Sequence, residues 1–213
     1  KCLVCDGKSF NNTLKTLSRC NNCGFVTYDM TSTKDHLKEI YNDDYFSGGE
    51  YRNYIADRDV IQNNFKLRFK VLNKYLNSKH RKLFEIGSAY GFFLDSVKHH
   101  FDWVSGIDIT NEGCVFAREQ LGINVIEGDY LDYAFEYKPD VFCMWDTIEH
   151  LPDPDLFIAK ISQDISSDGL LCITTGDIDS FVARIRGPKW RLIHPPTHIH
   201  YFSRKTIIKL LNK

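Results

Sequence analysis

Phe84-Glu85-Ile86-Gly87-Ser88-Ala89-Tyr90-Gly91 is a short apolar run that stops at an acid and opens into a small-residue turn before Phe92-Phe93-Leu94. The pattern predicts a strand, a tight loop and a helix, the geometry that lets backbone approach a nucleotide-like ligand at a helix N-terminus. Three later stretches repeat the theme: Val104-Ser105-Gly106-Ile107-Asp108 ends on an acid, Ile123-Asn124-Val125-Ile126 leads to Glu127-Gly128-Asp129, and Val141-Phe142-Cys143-Met144-Trp145 leads to Asp146. Polar groups at the carboxyl ends of four strands describe the crevice where open α/β sheets bind ligands.

The segments between these strands read as helices. Ile61, Phe65, Phe69, Leu72 and Leu76 recur at three- and four-residue steps and predict a helix from about Asp57 to Asn77. Thr110-Asn111-Glu112 reads as a capped helix start, and a last helix is expected from Arg204 to Leu211. A fifth strand, Gly169 to Thr175, follows the turn Ser166-Ser167-Asp168-Gly169. Alternating strands and helices predict an α/β fold, Rossmann-like and doubly wound around a mainly parallel sheet.

A glycine loop followed about twenty residues later by an acid also marks dinucleotide-binding folds. That fingerprint needs G-x-G-x-x-G, and this loop lacks its second and third glycines. Glu85, two residues before Gly87, would repel phosphates and suits a cationic amino-acid group better.

The strand series resembles the class I S-adenosylmethionine-dependent methyltransferases over roughly residues 57–211. The resemblance implies S-adenosylmethionine as cofactor, with Glu85, Gly87, Ser88, Ala89 and Gly91 around its methionine part and Asp108, followed by Ile109, on the ribose hydroxyls. It places Asp129 and Tyr130 at the adenine edge, and Asp146 where the fourth strand opens toward cofactor and substrate. The middle glycine of the family's turn is Ala89 here. The family's last pair of strands would lie beyond Lys213, which predicts a bare sheet edge at that point.

The chain holds seven cysteines among its 213 residues. Cys2, Cys5, Cys20 and Cys23 form C-x2-C twice with fourteen residues between, the spacing in which two knuckles supply a tetrahedral thiolate site for zinc. A knuckle of about thirty residues is too small for a core of its own, so the metal is expected to be structural. Cys114, Cys143 and Cys172 read as small buried hydrophobes. Three domains follow: a zinc module over 1–30, a tyrosine-rich connector or lid over 31–56, and the cofactor-binding domain over 57–213.

Asp146-Thr147-Ile148-Glu149-His150-Leu151-Pro152 resembles a signature of the ubiquinone and sugar methyltransferases. His150 is therefore a candidate base, or else a residue that organises its loop. Trp190 to Ser203 carries three histidines, but its two prolines and lack of a carboxylate argue against metal. His198, Tyr201, Phe202 and Ser203 make H-x-x-Y-F-S, which resembles the segment before the last helix in zinc-containing C-methyltransferases of nucleotide-linked deoxysugars. That resemblance implies His198 as the base, the alternative being that His198 and His200 tie the loop to the sheet. Pro195 and Thr197 stand where those enzymes carry a tyrosine and an acid, so the acceptor atom stays open.

A formal charge of −1 with interspersed signs gives no footprint for nucleic acid, and 43% hydrophobic residues can fill a core. There is no membrane-length apolar run and no secretory signal, so the chain reads as cytoplasmic, with no membrane partner. The function expected is methyl transfer to a small molecule, a sugar or nucleotide-linked sugar. The alternatives are an RNA or protein methyltransferase that grips its polymer with the zinc module, and a noncatalytic cofactor-binding protein.

Overall fold

The computed structural model of the protein describes residues 1–14, 16–28 and 54–213. Most of the connector expected over 31–56 therefore lies outside the described residues. Tyr54, within its last three residues, stacks on Tyr90 and Phe92 at ring separations of 5.3 and 5.5 Å.

The chain forms two compact units, one from residues 36–144 and 161–172, the other from 1–35, 145–160 and 173–213. In the first, helix α1 (Arg58–Leu72) leads into strand β4 (Lys82–Ile86), α2 (Phe92–Val97), β5 (Trp103–Asp108), α3 (Asn111–Leu121) and β6 (Val125–Glu127). Strands β1 (Phe10–Thr13), β2 (Leu17–Cys20) and β3 (Val26–Tyr28) precede them in the chain. Strand β7 (Val141–Trp145), helix α4 (Pro154–Asp164), strand β8 (Leu170–Thr174), helix α5 (Phe181–Arg186), strand β9 (His200–Tyr201) and helix α6 (Arg204–Leu211) complete the order.

The larger sheet runs β6-β5-β4-β7-β8. Strand β4 pairs in parallel with both β5 and β7, and β5 with β6. The chain turns outward in both directions from β4, so the topological switch point lies at its carboxyl end, where such sheets bind ligands. Burial on both faces explains why β4 and β7 read as nearly continuous apolar runs. Phe84 packs at the centre, with Phe135 and Phe142 at 4.7 and 5.8 Å.

Helix α1 stops earlier than its periodicity predicts. Tyr75 N donates to Leu72 O, a tightened last turn that ends the helix five residues before Asn77. Its contact with α2 carries a partly buried ion pair, Arg58 to Asp95 at 2.9 Å, beside Phe65 against Phe93. Of the three lone cysteines, Cys114 and Cys143 are fully buried as expected, whereas Cys172 is only half-buried.

The other unit holds an antiparallel sheet β1-β2-β3-β9. Val26 and Thr27 pair with Tyr201 and His200. The four-cysteine segment thus shares a sheet and a core with residues 178–201. Leu17, Val26, Ile178, Ala183, Trp190 and Tyr201 form that core. No helix among the described residues is long and apolar enough to cross a membrane.

Candidate active site

The glycine loop leaves β4 in left-handed backbone: Gly87, Ala89 and Gly91 have φ of 74°, 46° and 71°. Glycine adopts this region without cost, whereas alanine is strained there by about 1–2 kcal/mol. Ala89 therefore carries a local strain that the surrounding bonds must hold. Ala89 N donates to Asp108 Oδ2 at 2.7 Å, and Thr110 gives Asp108 Oδ1 its N–H at 2.9 Å and its hydroxyl at 2.6 Å. Thr110 thus does not cap α3 with its side chain, as its position predicts; it orients the acid instead.

Two glycines that the sequence reading passes over shape this loop. A Cβ on Gly106 would lie 2.7 Å from Ser88 Cβ, and one on Gly113 would lie 2.7 Å from Ala89 O. Strand β5 and helix α3 can approach the loop only because both positions lack a side chain. A glycine inside a strand and another in the first turn of a helix were the available signals.

Glu85 is 2% exposed and Ser88 5% exposed. Glu85 Oε2 and Ser88 Oγ have no hydrogen-bond partner among the described residues. Burial, reinforced by the charge on Asp108, holds the Glu85 carboxyl well above the usual carboxylate range. Asp108 is also raised, by burial, against the bonds it receives. A buried carboxyl oxygen without a hydrogen bond is costly, and a cationic ammonium group is the ligand that would offset it. These residues therefore fit the methionine end of S-adenosylmethionine. Ile109, 44% exposed, sets an apolar side chain next to Asp108.

The two residues expected at the adenine edge lie in different surroundings. Tyr130 is a core residue, 2% exposed, whose hydroxyl donates to Asp164 Oδ2 at 2.8 Å and whose ring lies against Phe142. Asp129 is half-buried and accepts from Leu131 N at 2.9 Å, capping the following turn.

Asp146 belongs to the other unit, is exposed, and has left-handed backbone with φ of 53°. Its Oδ1 accepts from Thr174 Oγ1 at 2.9 Å. A few residues on, the turn Ile148–His150 brings His150 to His198, with ring centres 4.6 Å apart and planes at 79°. His150 Nδ1 is 2.8 Å from Thr197 O, and His198 Nδ1 is 2.8 Å from Leu192 O. A carbonyl only accepts, so each ring carries its proton on Nδ1 and its lone pair on Nε2. Burial, aided by His198, brings His150 down to about 4.

The rest of H-x-x-Y-F-S holds this arrangement. Tyr201 donates its hydroxyl to His198 O at 2.8 Å, Phe202 is fully buried 5.2 Å from the Phe25 ring, and Ser203 caps α6 in a reciprocal box with Thr206. His200 is structural: its Nδ1 meets Thr27 Oγ1 at 3.0 Å and its Nε2 meets Pro152 O at 3.2 Å. Burial also brings His200 down to about 4.

The sulfur atoms of Cys2, Cys5, Cys20 and Cys23 lie within 4.8 Å of one another. Cys2 to Cys23 and Cys5 to Cys20 are both 3.6 Å, far too long for disulfides. Zinc–sulfur bonds of about 2.3 Å in a tetrahedron require sulfurs about 3.8 Å apart, so the four thiols fit that ion. Burial opposes ionisation of Cys5, but the Gly7 N–H, the neighbouring thiols and Asn22 outweigh it and bring Cys5 down to about 6. Burial pushes Cys2 and Cys23 up.

Residues 57–213 match the family described as methyltransferase domain. The chain belongs to that family. A ubiquinone biosynthesis O-methyltransferase from Actinobacillus pleuropneumoniae is 25% identical over 137 residues, 58% of this chain and 58% of the relative. The chain thus matches under two thirds of that relative's length. A S-adenosylmethionine-dependent methyltransferase structure from Thermotoga maritima superposes with a TM-score of 0.61 at 18% identity, covering 83% of this chain and 78% of the other. A candidate methyltransferase from Bacillus halodurans gives 0.58 at 12% identity, covering 68% and 66%. The two superpositions establish the class I methyltransferase fold.

Proposed function

We propose that this chain transfers a methyl group from S-adenosylmethionine to a small molecule, a sugar or a nucleotide-linked sugar, with zinc held structurally by Cys2, Cys5, Cys20 and Cys23. The observation that carries the reading is the buried Glu85 Oε2, without a hydrogen-bond partner among the described residues, beside the left-handed loop 87–91. When bound, the cofactor supplies an electrophilic methyl on a sulfonium, which leaves alignment and one proton to the protein. Glu85 and Ser88 meet the ammonium end, and Asp108, steered by Thr110 and Ala89, accepts the ribose hydroxyls. Gly106 and Gly113 keep the loop close enough to β5 and α3 for this cradle to form.

The acceptor's proton leaves at the cluster of Glu149, His150 and His198, with His198 Nε2 as the group we assign to it. Its Nδ1 proton is committed to Leu192 O, so the lone pair lies on the other nitrogen. The sugar assignment rests on the H-x-x-Y-F-S segment together with the four-cysteine module. Incubation with methyl-labelled cofactor and a panel of nucleotide-linked sugars tests it. Label in a sugar product supports the assignment; label that enters only RNA or protein, or none with any acceptor, overturns it.

A further inference from the structure

One ligand atom each from Glu149, His150 and His198 lies within 4.8 Å of the other two. Residues 190–203 by themselves argue against metal, since two prolines stiffen them and no carboxylate lies among their histidines. In the fold Glu149 supplies that carboxylate from another segment, and it is 4% exposed. Ile199 N donates to Glu149 O at 3.0 Å, which clips the two segments together at the cluster. His198 N donates to His194 O at 2.9 Å, and the Tyr201 hydroxyl to His198 O at 2.8 Å, so backbone on both sides of His198 is fixed.

Both imidazoles donate Nδ1–H to backbone carbonyls, the arrangement by which metal-ligating histidines are held in tautomer and orientation. With Nδ1 committed in both rings, Nε2 is the nitrogen whose lone pair each can offer a cation, and Glu149 adds a buried carboxylate. We propose that Glu149, His150 and His198 form a second metal site, distinct from the four cysteines, that binds a first-row divalent cation with open coordination positions. Two imidazoles and one carboxylate suit ions from Mn2+ to Zn2+, and three protein ligands leave room for oxygen ligands.

This deepens the reading of the chain as a methyltransferase and rests on it for the role of the ion. A cation held there would take His198 Nε2 as a ligand in place of its role as base, and its charge would lower the pH at which an acceptor hydroxyl beside it gives up its proton, to solvent rather than to the imidazole. The methylated oxygen carries no proton and binds more weakly, which favours product release.

The test uses the whole chain carrying one zinc per chain, which leaves the second site open, titrated with Mn2+ alone and followed by electron paramagnetic resonance. The expected result is one saturable Mn2+ per chain whose spin-echo modulation shows imidazole nitrogen. Glu149→Gln and His198→Ala should each weaken Mn2+ by at least tenfold, whereas Asp153→Asn, outside the cluster, should leave it unchanged. No saturable Mn2+, a bound ion without imidazole nitrogen, or equal affinity in Glu149→Gln overturns the proposal. The wild-type spin-echo result decides even if a variant fails to fold. Cofactor affinity measured on the same samples separates the two readings: intact cofactor binding without Mn2+ removes the metal site alone, and absent cofactor binding removes the methyltransferase reading.

Discussion

At the scale of single residues the proposed cofactor cradle should trade stability for ligand affinity. Glu85 is buried with its carboxyl raised, so the folded chain holds this proton more tightly than the unfolded chain does. Its sign is therefore unfavourable at neutral pH: stability is highest on the acid side and falls as pH rises through the elevated value. Glu85→Gln should make the ligand-free chain more stable at pH 8, by roughly 1 kcal/mol or more, while weakening S-adenosylmethionine. Thermal unfolding at several pH values, alongside calorimetric titration, checks both; a variant that loses stability at pH 8 contradicts the account. Asp108→Ala should weaken the cofactor at least tenfold, since each bond to a charged acceptor contributes about 1.5–3 kcal/mol and the loop also loses its tie at Ala89 N. His198→Ala should lower turnover about a hundredfold and leave cofactor affinity nearly intact, as removal of a group that handles the acceptor's proton does.

At the scale of elements, what could be read from sequence was what local pattern encodes. Strand β7 and helix α6 fall at the predicted residues, because one is a pure apolar run and the other starts at a serine cap. Strands β1 and β2 were not legible: Phe-Asn-Asn-Thr and Leu-Ser-Arg-Cys carry little strand signal, and their pairing depends on the cysteine framework. The left-handed Ala89 and the meeting of His150 with His198 were equally hidden. One is set by the bonds around the loop, the other by contacts that span 47 residues or more. Gly106 gives the element-scale test. Gly106→Ala puts a Cβ 2.7 Å from Ser88 Cβ and 3.0 Å from Glu85 O, so either the loop or β5 must shift. A loss of about 1–3 kcal/mol is expected, with cofactor affinity falling alongside it. Calorimetry that finds both unchanged would show the approach of β5 to the loop to be looser than these distances imply.

At the scale of the whole chain, the four cysteines belong to more than an appendage. Strand β3 follows Cys23 directly and pairs with β9, and Val26 and Leu17 share a core with Trp190 and Tyr201. That unit also contains the Glu149–His150–His198 cluster, whose backbone clip at Ile199 lies next to β9. Since four thiolates that hold a structural zinc fold their segment only with the metal, chelation should release more than residues 1–28. Hydrogen exchange after zinc removal should rise in 17–28 and also in 199–203. Strands β4 and β5, in the other unit, should keep their protection, because local opening follows contiguous cooperative units. Activity should then fall through the displaced histidine, with cofactor affinity largely retained. Protection retained at 199–203 after complete zinc loss would instead mean that the β3–β9 pairing and its core hold the segment without the metal.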